Sequence, residues 1–309
     1  SSFSKTNFSI CFLPFNYKLF YENEELYVEI NSVGAELSRI KNKKNDKEYL
    51  WNADEKYWKR HSPVLFPFVG SLKDKKYKYD GKEYSMGQHG FARDMKFQLL
   101  TSKSDEIWFV LNASDETIAK YPFIFSLEIG YKLEKNNIKV MWKVKNNDTK
   151  EMYFSIGAHP AFYCPINDGE EQSQCYIKTD CKNEFTYFKI AEGGVKDTSA
   201  TYKITVDNKG IFNITKNMFD DDALIVEDNQ IHSLSLLDSN RNEYVKVEFD
   251  MPLCGIWSPA KKNAPFICLE PWCGRCDSKD FDGELQDREY GNKLKPSEEF
   301  ENGYSITIY

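Results

Sequence analysis

Several familiar signatures are missing from this sequence. It has no G-x-S-x-G, no P-loop and no G-x-G-x-x-G. Nothing therefore indicates a serine-hydrolase elbow or the glycine loops that cradle nucleotide phosphates. No apolar run approaches the ~20 residues of a membrane-spanning helix, so no membrane contact is expected. A short apolar patch, Ile10–Phe15, has no basic segment before it. No signal peptide is read there, and a cytoplasmic location is expected. Positive charge is in deficit. A net charge of −7 argues against nucleic acid as a partner, because that role wants a basic face. Linkers rich in proline, glycine and serine are absent, as is any fixed-period repeat. One domain over residues 1–309 is expected, and a propeller is disfavoured.

Cysteine is not scarce, but its pattern is unhelpful to a metal. The eight cysteines include a lone C-x-x-C at Cys273 and Cys276. A zinc site of that kind needs a second ligand pair, and Cys164, Cys175, Cys181 and Cys268 are not spaced as one. A redox C-x-x-C belongs at a helix start in a βαβ unit, and none is legible. Reduced structural thiols are expected, with no resident metal.

What the chain does have is strand pattern. Phe125, Leu127, Ile129, Tyr131 and Leu133 alternate with Ser126, Glu128, Gly130, Lys132 and Glu134. After Lys135-Asn136-Asn137 the alternation resumes through Ile138, Val140, Trp142 and Val144. That is a long hairpin with one buried and one wet face. Leu26–Ile30, Ile107–Leu111, Tyr244–Phe249 and Tyr304–Ile308 read as further strands, and Lys73–Glu83 as a short hairpin around Asp80-Gly81. Aromatics at 15%, with 22 Phe and 19 Tyr, lean the same way. Helix signals are few; the best is Ser114 as an N-cap before Asp115–Lys120, stopped by Pro122. An all-β sandwich or barrel with few short helices follows.

Two of only four histidines sit among small residues and aromatics, in Gln88-His89-Gly90-Phe91-Ala92-Arg93 and Gly157-Ala158-His159-Pro160-Ala161-Phe162. His159 ends a strand in a position suited to a cleft; a hydrogen-bonded strand-end histidine is the structural alternative. His89 lies between glycines that let backbone approach a ligand, or in a plain surface turn. Arg93, four residues on, can meet an anion or a cluster of hydroxyls. Glu270 closes the run Pro265-Phe266-Ile267-Cys268-Leu269 before Pro271-Trp272. A carboxyl buried there would have a raised pKa, suited to a general base, unless it pairs with Arg275. In Asp220-Asp221-Asp222, Asp222 is nearest the following strand and can accept from a hydroxyl; the spacing is not that of a calcium loop. His61 and His232 read as loop residues. Two imidazoles and a carboxylate suffice for acid–base catalysis if three distant segments converge.

Taken in order, Gly34–Leu37, Glu48–Trp51, Pro63–Gly70, Gln88–Arg93, Gly157–Phe162 and Leu269–Gly274 resemble the aldose 1-epimerase (galactose mutarotase-like) family. The branch they resemble is that of the LacX and hexose-6-phosphate mutarotase group. The resemblance implies a large antiparallel β-sandwich with a sugar cleft, and neither metal nor organic cofactor. It implies that Glu270 takes a proton from the anomeric hydroxyl and that His159 gives one to the ring oxygen. His89 and Asp222 would bind the sugar, with Gln88, Arg93 and Arg60 as further contacts. The partner would be an aldohexose or its 6-phosphate, and the chain a monomer or homodimer. Relatives often place Arg after Pro-Phe-Val-Gly, where this chain has Ser71; Lys73 or Arg60 must replace it, or the ligand differs. A sugar-binding or sugar-sensing protein is the rival class. A glycosidase would need two carboxylates, and only Asp222 offers itself as the second.

Overall fold

The computed structural model describes residues 7–13 and 16–309, so Pro14 and Phe15 of the early apolar patch lie outside the described residues. The long hairpin forms as its alternation predicts, from strands Phe125–Glu134 and Asn137–Asn146. Phe125, Leu127 and Ile129 are buried on one face, while Lys139 and Lys145 face solvent. This hairpin sits inside a nine-stranded antiparallel sheet. Glu106–Asn112 pairs on one side of it, and the C-terminal strand Glu299–Ile308 on the other. That last strand pairs in turn with Glu243–Phe249, which brings the end of the chain to the middle of the sheet.

A second sheet has six strands. In order they are Leu224–Val226, Leu253–Trp257, Phe266–Cys273, Ile156–Ala158 and Val64–Leu65, with Ala161–Tyr163 also on Phe266–Cys273. Phe109, Leu127 and Ile129 of the first sheet share one core with Val226, Ile256 and Leu269 of the second. The architecture is therefore a large antiparallel β-sandwich. A four-stranded meander, Asn7–Leu13 to Glu36–Asn42, precedes it. The α-helix Asp115–Lys120 is capped by Ser114, whose Oγ accepts from Thr117 N while Ser114 N donates to Thr117 Oγ1.

Glu48–Trp51 contributes isolated bridges, Lys41 to Glu48 and Leu50 to Phe162, and no regular strand. The Asp80-Gly81 hairpin is confined to Lys76–Tyr79 and Lys82–Ser85, with a 3-10 turn before it at Lys73–Lys75.

The strand Phe266–Cys273 is buried along its whole length. Its alternation divides two apolar environments. Ile267, Leu269 and Cys273 enter the main core. Phe266 and Cys268 pack with Trp51 and Ala161, and Trp272 packs with Leu65 and Ile225. Glu270 stands between those two small clusters, on the same face.

Candidate active site

His159 and Pro160 interrupt what would otherwise be one strand beside Phe266–Cys273. Before the gap, Ile156 pairs with Cys273 and Gly157 with Trp272; after it, Ala161 pairs with Cys268 and Phe162 with Ile267. The register is the same on both sides, so His159 stands directly opposite Glu270. Residues opposed in this way project to the same face. His159 Nε2 lies 3.2 Å from Glu270 Oε1. Both side chains are buried, Glu270 at 1% exposure and His159 at 6%. Glu270 Oε1 and His159 Nδ1 have no hydrogen-bond partner among the described residues.

The pair forms part of a cavity of about 300 Å³. Its walls include Trp58, Trp257 and Trp272, and its polar groups include Gln88, His89, Arg93 and Asp222. Trp58 lies over the His159 ring, tilted by 30°, at 4.8 Å between centroids, and Trp257 meets it edge-on at 5.3 Å. His159 is thus clamped by two indoles. The Trp272 indole is wedged beside Glu270 between two glycines. A Cβ on Gly255 would lie 2.2 Å from its ring, and one on Gly157 2.7 Å.

His89 is fixed by backbone alone. Its N–H donates to Gly70 O at 2.9 Å, and its Nδ1 accepts from Gly70 N at 2.8 Å. With Nδ1 used as an acceptor, the neutral ring carries its proton on Nε2, which makes Nε2 the free donor. Its centroid is 5.4 Å from that of His159. Asp222, at φ 71°, accepts from Ala223 N at 2.7 Å. Arg93 Nη2 donates to Gln88 O at 3.0 Å, while its buried Nε makes no hydrogen bond among the described residues and lies 3.9 Å from Asp94 Oδ2.

Burial sets the protonation states. It pushes the Glu270 carboxyl well above its ordinary range, helped by the nearby Asp222 carboxylate and opposed by the Trp272 indole. Asp222, though exposed, is raised by partial desolvation at the cavity edge. Burial pulls His159 down to about 3, with Arg93 and Arg60 adding to the effect. His89 is pulled well down by burial first and by His159 next. Both shifts favour the neutral form of the pair, a protonated carboxyl facing a neutral imidazole. That form and the carboxylate–imidazolium form hold the same single proton.

Six of the seven residues expected from sequence line this cavity: Gln88, His89, Arg93, His159, Asp222 and Glu270. Arg60 does not line it; its Nη1 donates to Asp94 at 2.9 Å beside Arg93. Arg275, the expected structural partner of Glu270, is bound instead to Glu227 and Glu289. Lys73 does not stand in for an arginine at position 71, since its Nζ donates to Phe281 O at 3.1 Å. At Ser71 itself, a Cβ on Gly194 would lie 2.6 Å from the Ser71 Oγ. The chain around Gly194 occupies the room a longer side chain would need. Trp58, Trp257, Ile190 and Gly194 are lining residues that sequence reading did not find.

A groove of about 870 Å³ on the nine-stranded sheet is larger. Four of its charges are paired, Lys178 with Glu243 and Lys246 with Glu248.

The sequence profile of the aldose 1-epimerase family matches residues 18–285. The chain is 30% identical over 295 residues to the chromosomal protein LacX of Lactococcus lactis subsp. lactis, covering 93% of this chain and 98% of that one. A galactose mutarotase related enzyme from Lactobacillus acidophilus superposes with a TM-score of 0.88 at 34% identity, over 94% of this chain and 97% of the other. A galactose mutarotase-like protein from Lactobacillus casei gives the same TM-score at 27% identity, over 94% and 100%. With its profile, its relatives and its sandwich in agreement, the chain belongs to the aldose 1-epimerase family.

Proposed function

We propose that the protein is a mutarotase that interconverts the α and β anomers of an aldohexose. The observation that carries this is the buried Glu270–His159 pair, in register on the wall of a cavity sized for one small polar ligand. A site that only binds sugar gains nothing from a desolvated carboxyl whose oxygen lacks a partner, because that oxygen costs stability.

Hydroxyls entering the cavity supply the hydrogen bonds that a carboxylate and an imidazolium need. They favour moving the shared proton from Glu270 to His159. Glu270 then takes the proton from the anomeric hydroxyl. The C1–O1 bond becomes a carbonyl, the C1–O5 bond breaks, and O5 takes its proton from His159. Rotation about C1–C2 presents the other face of the carbonyl. Closure runs the same transfers backwards. His89 Nε2–H donates to a sugar oxygen, and Asp222 accepts from a hydroxyl.

One observation favours a 6-phosphorylated hexose as a second reading. Arg93 lines the cavity with a buried Nε that makes no hydrogen bond, and burial and its neighbour Arg60 pull its pKa to about 10 against the pull of Asp94, 3.9 Å away. An anion there would relieve the repulsion between the two guanidiniums.

Polarimetry and NMR of anomer exchange on free and 6-phosphorylated hexoses test the proposal. Glu270→Gln and His159→Asn should each lower kcat by ~10²–10⁴-fold, the usual worth of a positioned acid or base. Exchange close to wild type in either variant removes that residue from the mechanism.

A further inference from the structure

Cys268 is two residues before Glu270 on the same strand, so both side chains leave the same face. His159 stands across from Glu270. One ligand atom each from His159, Cys268 and Glu270 lie within 4.8 Å of one another. All three residues are buried, Cys268 completely. Tetrahedral zinc, with bonds of about 2.0–2.1 Å, sets nitrogen and oxygen ligands about 3.3 Å apart. His159 Nε2 and Glu270 Oε1 are already 3.2 Å apart. Beyond that contact with His159, Oε1 makes no hydrogen bond among the described residues, which leaves a lone pair to accept a cation.

We propose that His159, Cys268 and Glu270 form a binding site for a thiophilic divalent cation, Zn²⁺ in the first instance, which blocks catalysis by occupying the acid–base pair. One thiolate, one imidazole and one carboxylate suit zinc or cadmium and do not suit magnesium or calcium, which want oxygen ligands. On binding, the Cys268 thiol and the pair each give up a proton to water, and the metal takes their place. Three protein ligands would leave a fourth position for water. With its lone pairs on the metal, neither Glu270 nor His159 can exchange a proton with sugar. Cys268 plays no part in the proposed reaction; its role is to make the pair a chelate.

The inhibition rests on the mutarotase reading, whereas the binding does not, so the two are measured separately. Cadmium titration of the whole chain, followed by thiolate-to-metal absorbance, reads binding. One equivalent should give the band. Cys268→Ser should lose it, and Cys276→Ser, at the C-x-x-C thiol that also lines the cavity, should keep it. Anomer exchange with and without Zn²⁺, each variant compared with itself, reads inhibition. Wild type should be inhibited reversibly by micromolar Zn²⁺ and recover on chelation. Cys268→Ser should lose sensitivity by more than the roughly 10–100-fold that removal of an outer partner costs a metal site. Circular dichroism confirms that each variant is folded, and Cys268→Ala serves if the serine is not. The inference is overturned if no band forms, if the band is lost in Cys276→Ser and kept in Cys268→Ser, or if Zn²⁺ inhibits both forms equally. A chain with no anomer exchange that still shows the Cys268-dependent band retires the mutarotase reading and leaves the site standing.

Discussion

At the scale of residues, Glu270 holds a carboxyl where folding alone would not place one. Its folded pKa is raised above the ordinary value by burial. The stability it contributes is therefore complete below the unfolded value, near pH 4.5, and is lost as pH rises through the folded value. Glutamine keeps the shape and has no proton to lose. Glu270→Gln should thus stabilise the protein at neutral pH, by up to about 1.4 kcal/mol for each pH unit above the unfolded value. The gap over wild type should widen as pH rises. Denaturant unfolding from pH 4 to pH 9 measures it; a gap that is constant or narrows with pH would show that the carboxyl is not held protonated by the fold. The same burial shapes the rate. A second proton on the pair or the loss of its only proton leaves an uncompensated buried charge, so the active window should be broad. Its acid limb should lie well below the ordinary histidine value, towards the His159 value of about 3. Arg93 decides substrate charge. If a phosphate binds, Arg93→Ala should raise KM for the 6-phosphorylated hexose by ~1.5–3 kcal/mol more than for the free hexose. Equal changes for the two sugars would make Arg93 a general contact.

At the scale of elements, the strand Phe266–Cys273 places the chemistry and its neighbours hold it there. Gly255 pairs with Glu270 on the side away from His159. Its missing side chain is the space filled by the Trp272 indole. Gly255→Ala puts a methyl 2.2 Å from that ring. The strand is central in its sheet and cannot give way, and Gly157 blocks retreat on the other side. Trp272 must therefore tilt into the cavity. Overpacking of this kind costs typically 1–3 kcal/mol, and kcat should fall with it while the fold persists. A thermal melt and an anomer-exchange rate both unchanged would mean that the indole is not a wedge. Part of this element was legible. The apolar run before Glu270 marks its burial, though not the strand it lies on, and the alternation of residues 125–144 marks the hairpin behind it. What could not be read is the match across the gap. Nothing in Gly-Ala-His-Pro-Ala-Phe says that the strand resumes in the same register, yet that register is what sets His159 against Glu270. Trp58 and Trp257 were missed for a related reason. Each belongs to a segment without periodicity around it, and their common feature, contact with one imidazole ring, exists only once three distant stretches have met. Cys268 read as a plain core thiol because its spacing to other cysteines was the signal examined, whereas its neighbours in space are a histidine and a glutamate.

At the scale of the whole molecule, the cysteines separate two accounts of how the sandwich is held together. All eight are free thiols. Cys164, Cys175, Cys254, Cys268, Cys273 and Cys276 are buried, Cys181 is half-buried and Cys11 is exposed. Burial pushes Cys273 and Cys276 up to about 12, so the C-x-x-C holds neutral thiols, unlike a redox pair, which needs a lowered pKa. The core shared by the two sheets, with side chains from Leu19 to Ile308, carries the fold without a covalent link. Thiol titration of the native protein should therefore show one fast group, Cys11, and a slower Cys181. The other six should react only as fast as the strands open, because their reactivity reports local unfolding. Under denaturing, non-reducing conditions all eight should titrate. Cys164 and Cys175 are the informative pair, since burial and the neighbouring Cys175 thiol together push the Cys164 thiol well up. Recovery of six thiols would mean that these two had been oxidised to a disulfide, and that part of the stability here assigned to packing is covalent.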